Sequence, residues 1–358
     1  MHWNASIAIA QTRIDLTSPT YFIADIAANH DGDFDRAISL IHLAKEAGAD
    51  CAKFQHFLAN KIVSQKGFDS LQTNLAHQSK WKKSVVDVYD QYHFRRDWTL
   101  PLKEECEKIG IDFMTTPYDY EALNEVGPMV PAIKIGSGDV TWTSFIEQVA
   151  RLDKPVLLAT GAADMDDSAQ AVDAVLKHNP NIVLMQCNTN YTGSLENFKY
   201  VNLNVLKSFA VRYPGMVLGL SDHTPGHSAV MGAVTLGARV IEKHFTDDND
   251  RAGPDHSFAL NPVTWRAMVD SVRELELALG DGVKRHEDNE AETIIVQRRA
   301  IRLKYGLPKG HILSVDDLEC LRPCPLDAVD PRHWDDVIGR ALTMDKEAGD
   351  HLIWQDLH

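Results

Sequence analysis

The chain has 358 residues, of which 44% are hydrophobic and 24% charged, and its formal net charge is −15. This composition fits one large or two ordinary globular domains, and the net charge argues against nucleic acid or an anionic membrane as a partner. No apolar run approaches the roughly 20 residues of a membrane-spanning helix. Scattered cysteines and an N-terminus without a signal-peptide pattern predict a cytoplasmic protein rather than a secreted, disulfide-linked one.

From residue 20 to about residue 280, short apolar runs alternate with helical stretches. Eight runs are predicted as strands: residues 21–28, 50–55, 111–116, 131–136, 154–160, 181–187, 216–221 and 239–246. Eight strand–helix pairs in about 250 residues predict an α/β fold, the (β/α)8 TIM barrel. The alternative is a doubly wound open sheet, which more often carries a glycine-rich turn after its first strand, whereas this chain has ANHDGDFD there.

Three further segments complete the chain. Residues 1–19 are predicted to form a hairpin that covers the barrel floor, so the barrel domain spans residues 1–280. Residues 281–297 are polar and are interpreted as a linker. Residues 298–358 alternate short strands with turns and predict a small β-rich second domain.

Polar side chains stand at or just after almost every predicted strand end. They are Asp25, Lys53, Gln55, Thr116, Lys134, Ser137, Asp139, Thr189, Tyr191, Ser221, His223, Glu242 and His244. Because the active site of a (β/α)8 barrel is built at the C-terminal ends of the strands, this concentration predicts a catalytic mouth there.

Two lysines, Lys53 and Lys134, lie inside otherwise apolar runs. A buried lysine needs an anion, which is either a neighbouring carboxylate in a structural ion pair or a bound ligand. Together with the hydroxyl groups of Thr116, Ser137 and Ser221, the pair of lysines favours a phosphate-sized anion.

Two histidines, His223 and His244, end strands that are neighbours in a barrel, so their rings could share one metal ion. With no thiolate beside them, and only Glu242 or Asp255 as a further ligand, they predict an octahedral Mn²⁺- or Mg²⁺-like ion with open positions rather than a structural zinc. His30 is interpreted either as a turn residue or as a polar wall of the site.

Two loops near the predicted mouth are also candidates for function. Residues 250–256 follow the last strand, where a barrel commonly contacts its substrate. The segment from Lys61 to Arg96 is long for a strand-to-helix connection and predicts either a lid or an oligomer contact.

The motifs that carry these residues run in order along the chain. They are ADIAANHDGD, GADCAKFQ, GIDFMTTPYD, PAIKIGSGD, KPVLLATG, GLSDHT and VIEKHFTDDNDRAGPDH, followed by RRAIRLKYGLPKGHILSVDDLECLRP. In these motifs the chain resembles the sialic acid (N-acetylneuraminate) synthase family, barrel enzymes that condense phosphoenolpyruvate (PEP) with an N-acetylated hexosamine. The last motif resembles the antifreeze-like (SAF) domain that follows the barrel in that family.

The resemblance implies a cytoplasmic transferase of sialic acid biosynthesis. PEP would be bound by residues matching Lys53, Thr116, Lys134, Ser137, Thr189 and Ser221, and a divalent Mn²⁺ or Mg²⁺ by His223 and His244. The amino sugar would meet Gln55, Asp139, Tyr191 and Asp255, together with Arg322 from a neighbouring subunit, which implies a domain-swapped homodimer. A carboxylate among Asp25, Asp139 and Glu242 would act on the attacking water or the metal-bound group.

The chain departs from the family pattern at three places. Asp25 replaces the usual glutamate, the stretch QCNTNYTG carries Thr189 in place of a serine or asparagine and lacks the usual proline, and no glycine-rich turn follows Arg322. The first expectation is a synthase that makes N-acetylneuraminate from N-acetylmannosamine. The alternatives are a legionaminic- or pseudaminic-type synthase using a diacetamido sugar, a non-catalytic sugar-binding barrel, and a pyruvate-dependent lyase.

Overall fold

The computed structural model describes residues 2–71 and 83–358, which form two units. The first unit ends at Gly280 and the second spans Asp281–His358. The first begins with an antiparallel hairpin of β1 (Ser6–Ile9) and β2 (Thr12–Asp15). The segment predicted as a hairpin therefore contains one.

Eight parallel strands of the first unit close into a barrel, which confirms the predicted fold class. They are β3 (Tyr21–Asp25), β4 (Cys51–His56), β5 (Asp112–Pro117), β6 (Ile133–Ile135), β7 (Val156–Ala159), β8 (Ile182–Cys187), β9 (Val217–Asp222) and β10 (Ala238–His244). Neighbours in sequence are neighbours in the barrel, and β10 pairs back onto β3.

Helices follow or connect the strands. In the barrel unit they are α1 (Phe34–Glu46), α2 (Ala59–Ile62), α3 (Gln65–Ser70), α4 (Val85–Tyr92), α5 (Thr99–Ile109), α6 (Tyr120–Val126), α7 (Thr143–Ala150), α8 (Met165–Leu176), α9 (Val205–Arg212), α10 (Ser228–Thr235) and α11 (Pro262–Leu279). Local signals set several of their ends: Asp33 and Asn261 cap α1 and α11 with side-chain oxygens, and Gly110 ends α5 with φ 71°. Within the described ranges, no helix is long and apolar enough to cross a membrane.

The lower half of the barrel interior is apolar. Met114, Val183 and Val217 of the strands pack in one buried cluster with Ile7 and Ile9 of the hairpin. A second, larger cluster lies between the strands and the surrounding helices. The hairpin covers the N-terminal end of the barrel with apolar side chains. The polar residues of the strands lie at the opposite, C-terminal end.

The second unit is built around two antiparallel strands, β11 (Ala300–Leu303) and β12 (Leu318–Leu321). Its helices are α12 (Ala291–Gln297) and α13 (Trp334–Val337). It has its own buried core, which includes Leu313, Val329 and Leu352. The stretch 281–297, interpreted above as a linker, belongs to this unit and contains α12, which has the acidic Glu292 in its first turn although four of its seven residues are β-branched.

Candidate active site

The floor of the site is a buried cluster of two lysines and two carboxylates. Lys53 Nζ lies 2.7 Å from Asp25 Oδ2 and 3.7 Å from Glu242 Oε1, and Lys134 Nζ lies 2.7 Å from Glu242 Oε1. All four side chains are buried. The ion-pair alternative is therefore present in the structure, but an ammonium has three donors and can hold a carboxylate and a second anion together.

Hydroxyl groups surround these ammonium groups. Thr116 Oγ1 lies 3.4 Å from Lys53 Nζ, and Ser221 Oγ lies 3.4 Å from Lys134 Nζ. Ser137 Oγ accepts a hydrogen bond from the Gly161 amide at 3.0 Å. Donors and cations that converge from four strands and the turn after β6 can bind a phosphate or carboxylate without a glycine-rich loop.

Gly161 allows Ser137 and Thr189 to approach each other. A Cβ atom added to Gly161 would lie 1.9 Å from Thr189 Oγ1 and 2.8 Å from Ser137 Oγ. The two hydroxyl residues predicted to bind PEP therefore flank one glycine. The function of this glycine was missed from the sequence, although its position directly after a strand end in KPVLLATG was a usable signal.

The two histidines stand side by side at the same mouth. The ring centroids of His223 and His244 are 5.4 Å apart, and the ring planes make an angle of 40°. His223 Nδ1 lies 3.1 Å from the Asn188 carbonyl oxygen, which can only accept, so this nitrogen carries a proton, and in the neutral form of the ring Nε2 offers the lone pair. His244 Nδ1 is buried and has no hydrogen-bond partner among the described residues.

These two rings can supply two of the ligands of a metal ion. Burial, followed by the charge of His223, lowers the pKa of His244 well below its usual range, which favours the neutral, ligating form. Burial also lowers the pKa of His223, but its contacts with Cys187 and Asn188 outweigh this and raise the pKa overall. No group of three or more His, Cys, Asp or Glu side chains is arranged to hold a metal in residues 2–71 and 83–358. Glu242 Oε1 pairs with Lys134, whereas its Oε2 is buried and has no hydrogen-bond partner among the described residues.

A cavity of about 400 Å³ lies at the same mouth and is lined in part by His244. Its polar side contains Gln55, Ser137, Asp139, Thr189, Tyr191, His244 and Asp255. Its other side is an apolar wall formed by Phe57, Ile62, Val63, Phe68, Val88, Tyr89, Tyr92 and Tyr118. Most of this wall comes from the long segment predicted as a lid or oligomer contact, part of which (residues 72–82) lies outside the described residues.

The residues predicted to contact the sugar divide between the two units. Gln55 Nε2 donates to Asp25 Oδ2 at 3.0 Å, and the ring of Tyr191 meets that of His223 edge-on with centroids 4.3 Å apart. Burial raises the pKa of both Asp139 and Asp255 to about 6. Arg322 follows β12 in the second unit and is exposed there.

Three residues that the sequence did not single out belong to the site. Cys187, the last residue of β8, has its Sγ 4.0 Å from His223 Nδ1 and 3.8 Å from Thr189 Oγ1. Phe57 and Tyr118 directly follow β4 and β5 and line the cavity. Their places after strand ends were a signal, but aromatic residues there are not distinguishable from core residues by pattern alone.

A larger cleft, of about 680 Å³, lies at the opposite end of the barrel. Its lysines bind backbone carbonyls or neighbouring carboxylates, as Lys154 does with Val130 and Lys103 with Glu107. It is therefore not near the candidate chemistry, and its size alone does not make it the active site.

His30 lies behind the site rather than in it. Its Nδ1 accepts a hydrogen bond from the Gly32 amide at 3.0 Å, and its ring packs edge-on against Trp98 at 5.6 Å. It is absent from the described residues that line the cavity. Of the two interpretations, the turn residue is the one the structure supports.

Buried neutral histidines are expected to make the protein acid-sensitive. Burial lowers the pKa of His56 to about 3 and that of His30 to about 4, from 6.5. The unfolded chain therefore binds more protons at low pH. The contribution of these two histidines to the free energy of unfolding is complete above pH 6.5 and is lost as the pH falls towards 4, by up to about 1.4 kcal/mol per pH unit for each histidine. Urea unfolding at pH 7.5 and 5 measures this loss.

The matched variant is His56→Gln, which can still bond to Thr115 and Thr99 but does not titrate. It should lose stability at pH 7.5 and show a shallower decline than the parent on acidification. An unchanged pH dependence would show that His56 is not a source of the acid sensitivity.

Comparison with known proteins agrees with this geometry. Residues 40–284 match the NeuB family, and residues 298–358 match the SAF domain. The N,N'-diacetyllegionaminic acid synthase of Legionella pneumophila is 33% identical over 350 residues, covering 94% of each chain. The human N-acetylneuraminate-9-phosphate synthase is 33% identical over 303 residues, covering 84% of this chain and 82% of its own.

A solved structure shows the same architecture. The N-acetylneuraminic acid synthetase of Leptospira borgpetersenii, in complex with citrate, superposes with a TM-score of 0.70 at 27% identity, covering 82% of this chain and 96% of its own. The predicted resemblance and enzyme class are thus confirmed: the chain belongs to the NeuB family, as a PEP-dependent nonulosonic acid synthase with a C-terminal SAF domain.

Proposed function

We propose that this enzyme joins PEP to the open-chain aldehyde of an N-acetylated hexosamine and releases inorganic phosphate. The observation that supports this most is the single mouth in which two buried lysines lie beside two neighbouring imidazoles. An anionic substrate and an electrophilic carbonyl can be held there side by side, under a cavity large enough for a sugar.

PEP is assigned to the floor of the site. Lys53 and Lys134 donate their remaining N–H groups to its phosphate and carboxylate, while Thr116, Ser137 and Ser221 orient them by hydrogen bonds. Thr189 contributes its hydroxyl group across Gly161. As phosphate leaves, the charge on its oxygens increases, and preorganised ammonium groups in a dry site stabilise that charge most strongly.

His223 and His244 are assigned to a divalent ion, Mn²⁺ or Mg²⁺. Such an ion, when bound, supplies Lewis-acid polarisation of the sugar aldehyde. The two imidazoles would hold the ion through their nitrogen lone pairs. The hydrogen bond from His223 Nδ1 to Asn188 orients the ring for this role.

The remaining steps consume one water molecule, one proton of which ends on the new hydroxyl group and the other on the released phosphate. The methylene carbon of PEP forms a bond to the aldehyde carbon, and the oxygen of the aldehyde takes up the first of these protons and becomes a hydroxyl group. Water adds to the PEP carbon that bears phosphate and loses a proton to a carboxylate among Asp25, Asp139 and Glu242. The resulting tetrahedral intermediate breaks its carbon–oxygen bond to phosphate and leaves the 2-keto acid.

The raised pKa of Asp139 predicts an acid limb in the pH profile. Burial raises this pKa to about 6, so the carboxylate is charged and able to accept a proton above pH 6 and protonated below it. We expect kcat/KM to fall as the pH drops through 6, and Asp139→Asn to lower the activity while making this limb shallower. Phosphate release measured between pH 5 and 8 tests this.

Asp255 provides the matched comparison, since burial raises its pKa to about 6 as well. Asp139→Asn and Asp255→Asn should be measured under the same conditions, because the titration of PEP then affects both pH profiles equally. A limb of unchanged steepness in Asp139→Asn would remove this residue from the proton transfers.

The cavity suits a sugar with two acyl groups. The wall around Phe57, Phe68 and Tyr118 offers apolar surface that a second acetyl methyl group can cover. We therefore place the diacetamido sugar ahead of N-acetylmannosamine, the first expectation from the sequence.

Arg322 is proposed to reach the sugar from a neighbouring subunit of a domain-swapped homodimer. Mixing His244→Ala and Arg322→Ala proteins under conditions that exchange subunits tests this. A swapped dimer gives heterodimers with one intact site and recovers about a quarter of the parent activity. If subunit exchange is verified and no activity is recovered, Arg322 either acts in the site of its own chain or lies outside any active site.

The test of the function itself is phosphate release from PEP with Mn²⁺ and a panel of sugars, with the product mass measured. The panel comprises N-acetylmannosamine, its 6-phosphate and a 2,4-diacetamido hexose. Turnover with either unphosphorylated sugar, giving a mass equal to PEP plus sugar plus water minus phosphate, supports the proposal. PEP that stays intact with all three would instead favour the non-catalytic sugar-binding barrel.

A further inference from the structure

A second buried ion pair lies next to the candidate metal ligands but on the other face of their strands. Lys243 stands between Glu242 and His244 on β10, and Asp222 stands between Ser221 and His223 at the end of β9. Successive side chains of a strand point to opposite faces. Lys243 and Asp222 therefore share the face away from the site, where they are 2% and 4% exposed.

The strand register places these two residues directly opposite each other. In the β9–β10 ladder Lys243 pairs with Asp222, one position before the two histidines. The ammonium group of Lys243 binds Asp222 Oδ2 and also donates to the Thr224 carbonyl oxygen at 2.6 Å. The ion pair thus fastens together the two strand ends that carry His223 and His244.

The same carboxylate also holds the residue that follows His223. Asp222 Oδ1 accepts from the Thr224 amide at 3.1 Å and from its hydroxyl group at 2.9 Å. Since Lys243 binds the carbonyl of Thr224, this residue is fixed through its amide, its hydroxyl and its carbonyl. The backbone of His223 is therefore held on both sides, by Asp222 before it and Thr224 after it.

A buried ion pair is a poor device for stability alone. Removing two charges from water is costly, and apolar residues of similar volume often stabilise a fold as well or better. The pair contacts neither the cavity nor the lysine–carboxylate floor in the described structure. The ion pair does fix the spacing of the two imidazoles. When groups that orient metal ligands are removed, the affinity for the metal commonly falls.

We propose that Lys243, Asp222 and Thr224 are positioning residues for the metal site, and that they fix His223 relative to His244. This inference rests on the proposed metal-binding function of the two histidines. The proposal treats the stability of the barrel and its affinity for a divalent ion as separate properties. Replacing the two charges by apolar groups should leave the stability nearly unchanged and weaken the affinity for the ion.

The test is the affinity of the full-length, chelator-treated protein for Mn²⁺, measured by calorimetric titration beside its unfolding temperature. In Asp222→Leu/Lys243→Met we expect an unfolding temperature close to that of the parent and Mn²⁺ affinity weakened about 10- to 100-fold. The control is Lys346→Met/Asp356→Leu, which removes a partly buried ion pair in the second unit and should leave Mn²⁺ affinity unchanged. Parent-like affinity in a folded Asp222→Leu/Lys243→Met protein would overturn the proposal.

Two milder variants cover the case in which the double variant does not fold. Thr224→Val removes the hydroxyl group that binds Asp222 and should weaken Mn²⁺ binding, whereas Thr224→Ser keeps the hydroxyl and should not. Equal affinity in the two would contradict the proposal. If the parent binds Mn²⁺ and His223→Ala does not, equal affinity of the two Thr224 variants would contradict only the positioning role. If the parent itself does not bind Mn²⁺, the proposed metal site is wrong as well.

Discussion

Replacing His244 with alanine is expected to abolish Mn²⁺ binding and to lower turnover by more than about 10³-fold, because it removes one of the two imidazoles proposed to hold the ion. The fold should survive. His244 Nδ1 makes no hydrogen bond within residues 2–71 and 83–358, and its main neighbours are the rings of Tyr191 and Phe258. Metal titration and phosphate release, with circular dichroism as the check on folding, measure the three effects separately.

His178→Ala is the matched control for this experiment. His178 follows the C-terminal end of α8, at the opposite end of the barrel from the strand ends that form the site. It should change neither Mn²⁺ affinity nor turnover. Near-normal turnover in His244→Ala that still disappears with EDTA would mean that the metal is held elsewhere.

Replacing Lys134 with methionine is expected to damage both the fold and the reaction. The variant leaves the buried Glu242 carboxylate without its 2.7 Å partner, which should lower the free energy of unfolding by about 3–5 kcal/mol. It also removes one of the two cations assigned to PEP, so turnover should fall by about 10³-fold or more. Urea unfolding and phosphate release are the two measurements.

A double variant distinguishes these two roles of Lys134. Lys134→Met/Glu242→Gln removes both charges, so most of the lost stability should return while the activity stays low. Lys154→Met, two residues before β7, removes hydrogen bonds to the backbone carbonyls of Pro128 and Val130 and should cost stability without comparable loss of turnover. If the double variant regained activity, the role of Lys134 would be structural and the anion would be bound elsewhere.

The positions of the strand ends were accessible from the sequence because alternation of apolar and helical segments marks where each strand stops. Lys134, for example, falls in β6, which spans only Ile133–Ile135, within the predicted run 131–136. The first strand shows the limit of this reasoning. It was predicted to reach residue 28 but ends at Asp25, since the chain then turns with Ala27 at φ 46°.

Which polar groups meet across the barrel was not accessible. Lys134 and Glu242 are 108 residues apart, and their contact depends on how the closed barrel staggers its strands. The approach of Thr189 to Ser137 depends on the missing side chain of Gly161, and the apolar wall depends on how a long connection folds back over the mouth. Arg322 remains a prediction, because its role requires the arrangement of a second subunit.

The hairpin at the start of the chain has a kinetic consequence. Ile7 and Ile9 cover the N-terminal end of the barrel, and the interior beside them is packed with side chains such as Met114 and Val183, so within the described residues this end is closed to substrates. Lys53 and Lys134 are buried, whereas the cavity assigned to the sugar is partly open to solvent. We therefore expect an obligatory order, in which PEP enters before the sugar, the sugar acid departs before phosphate, and added phosphate competes with PEP but not with the sugar.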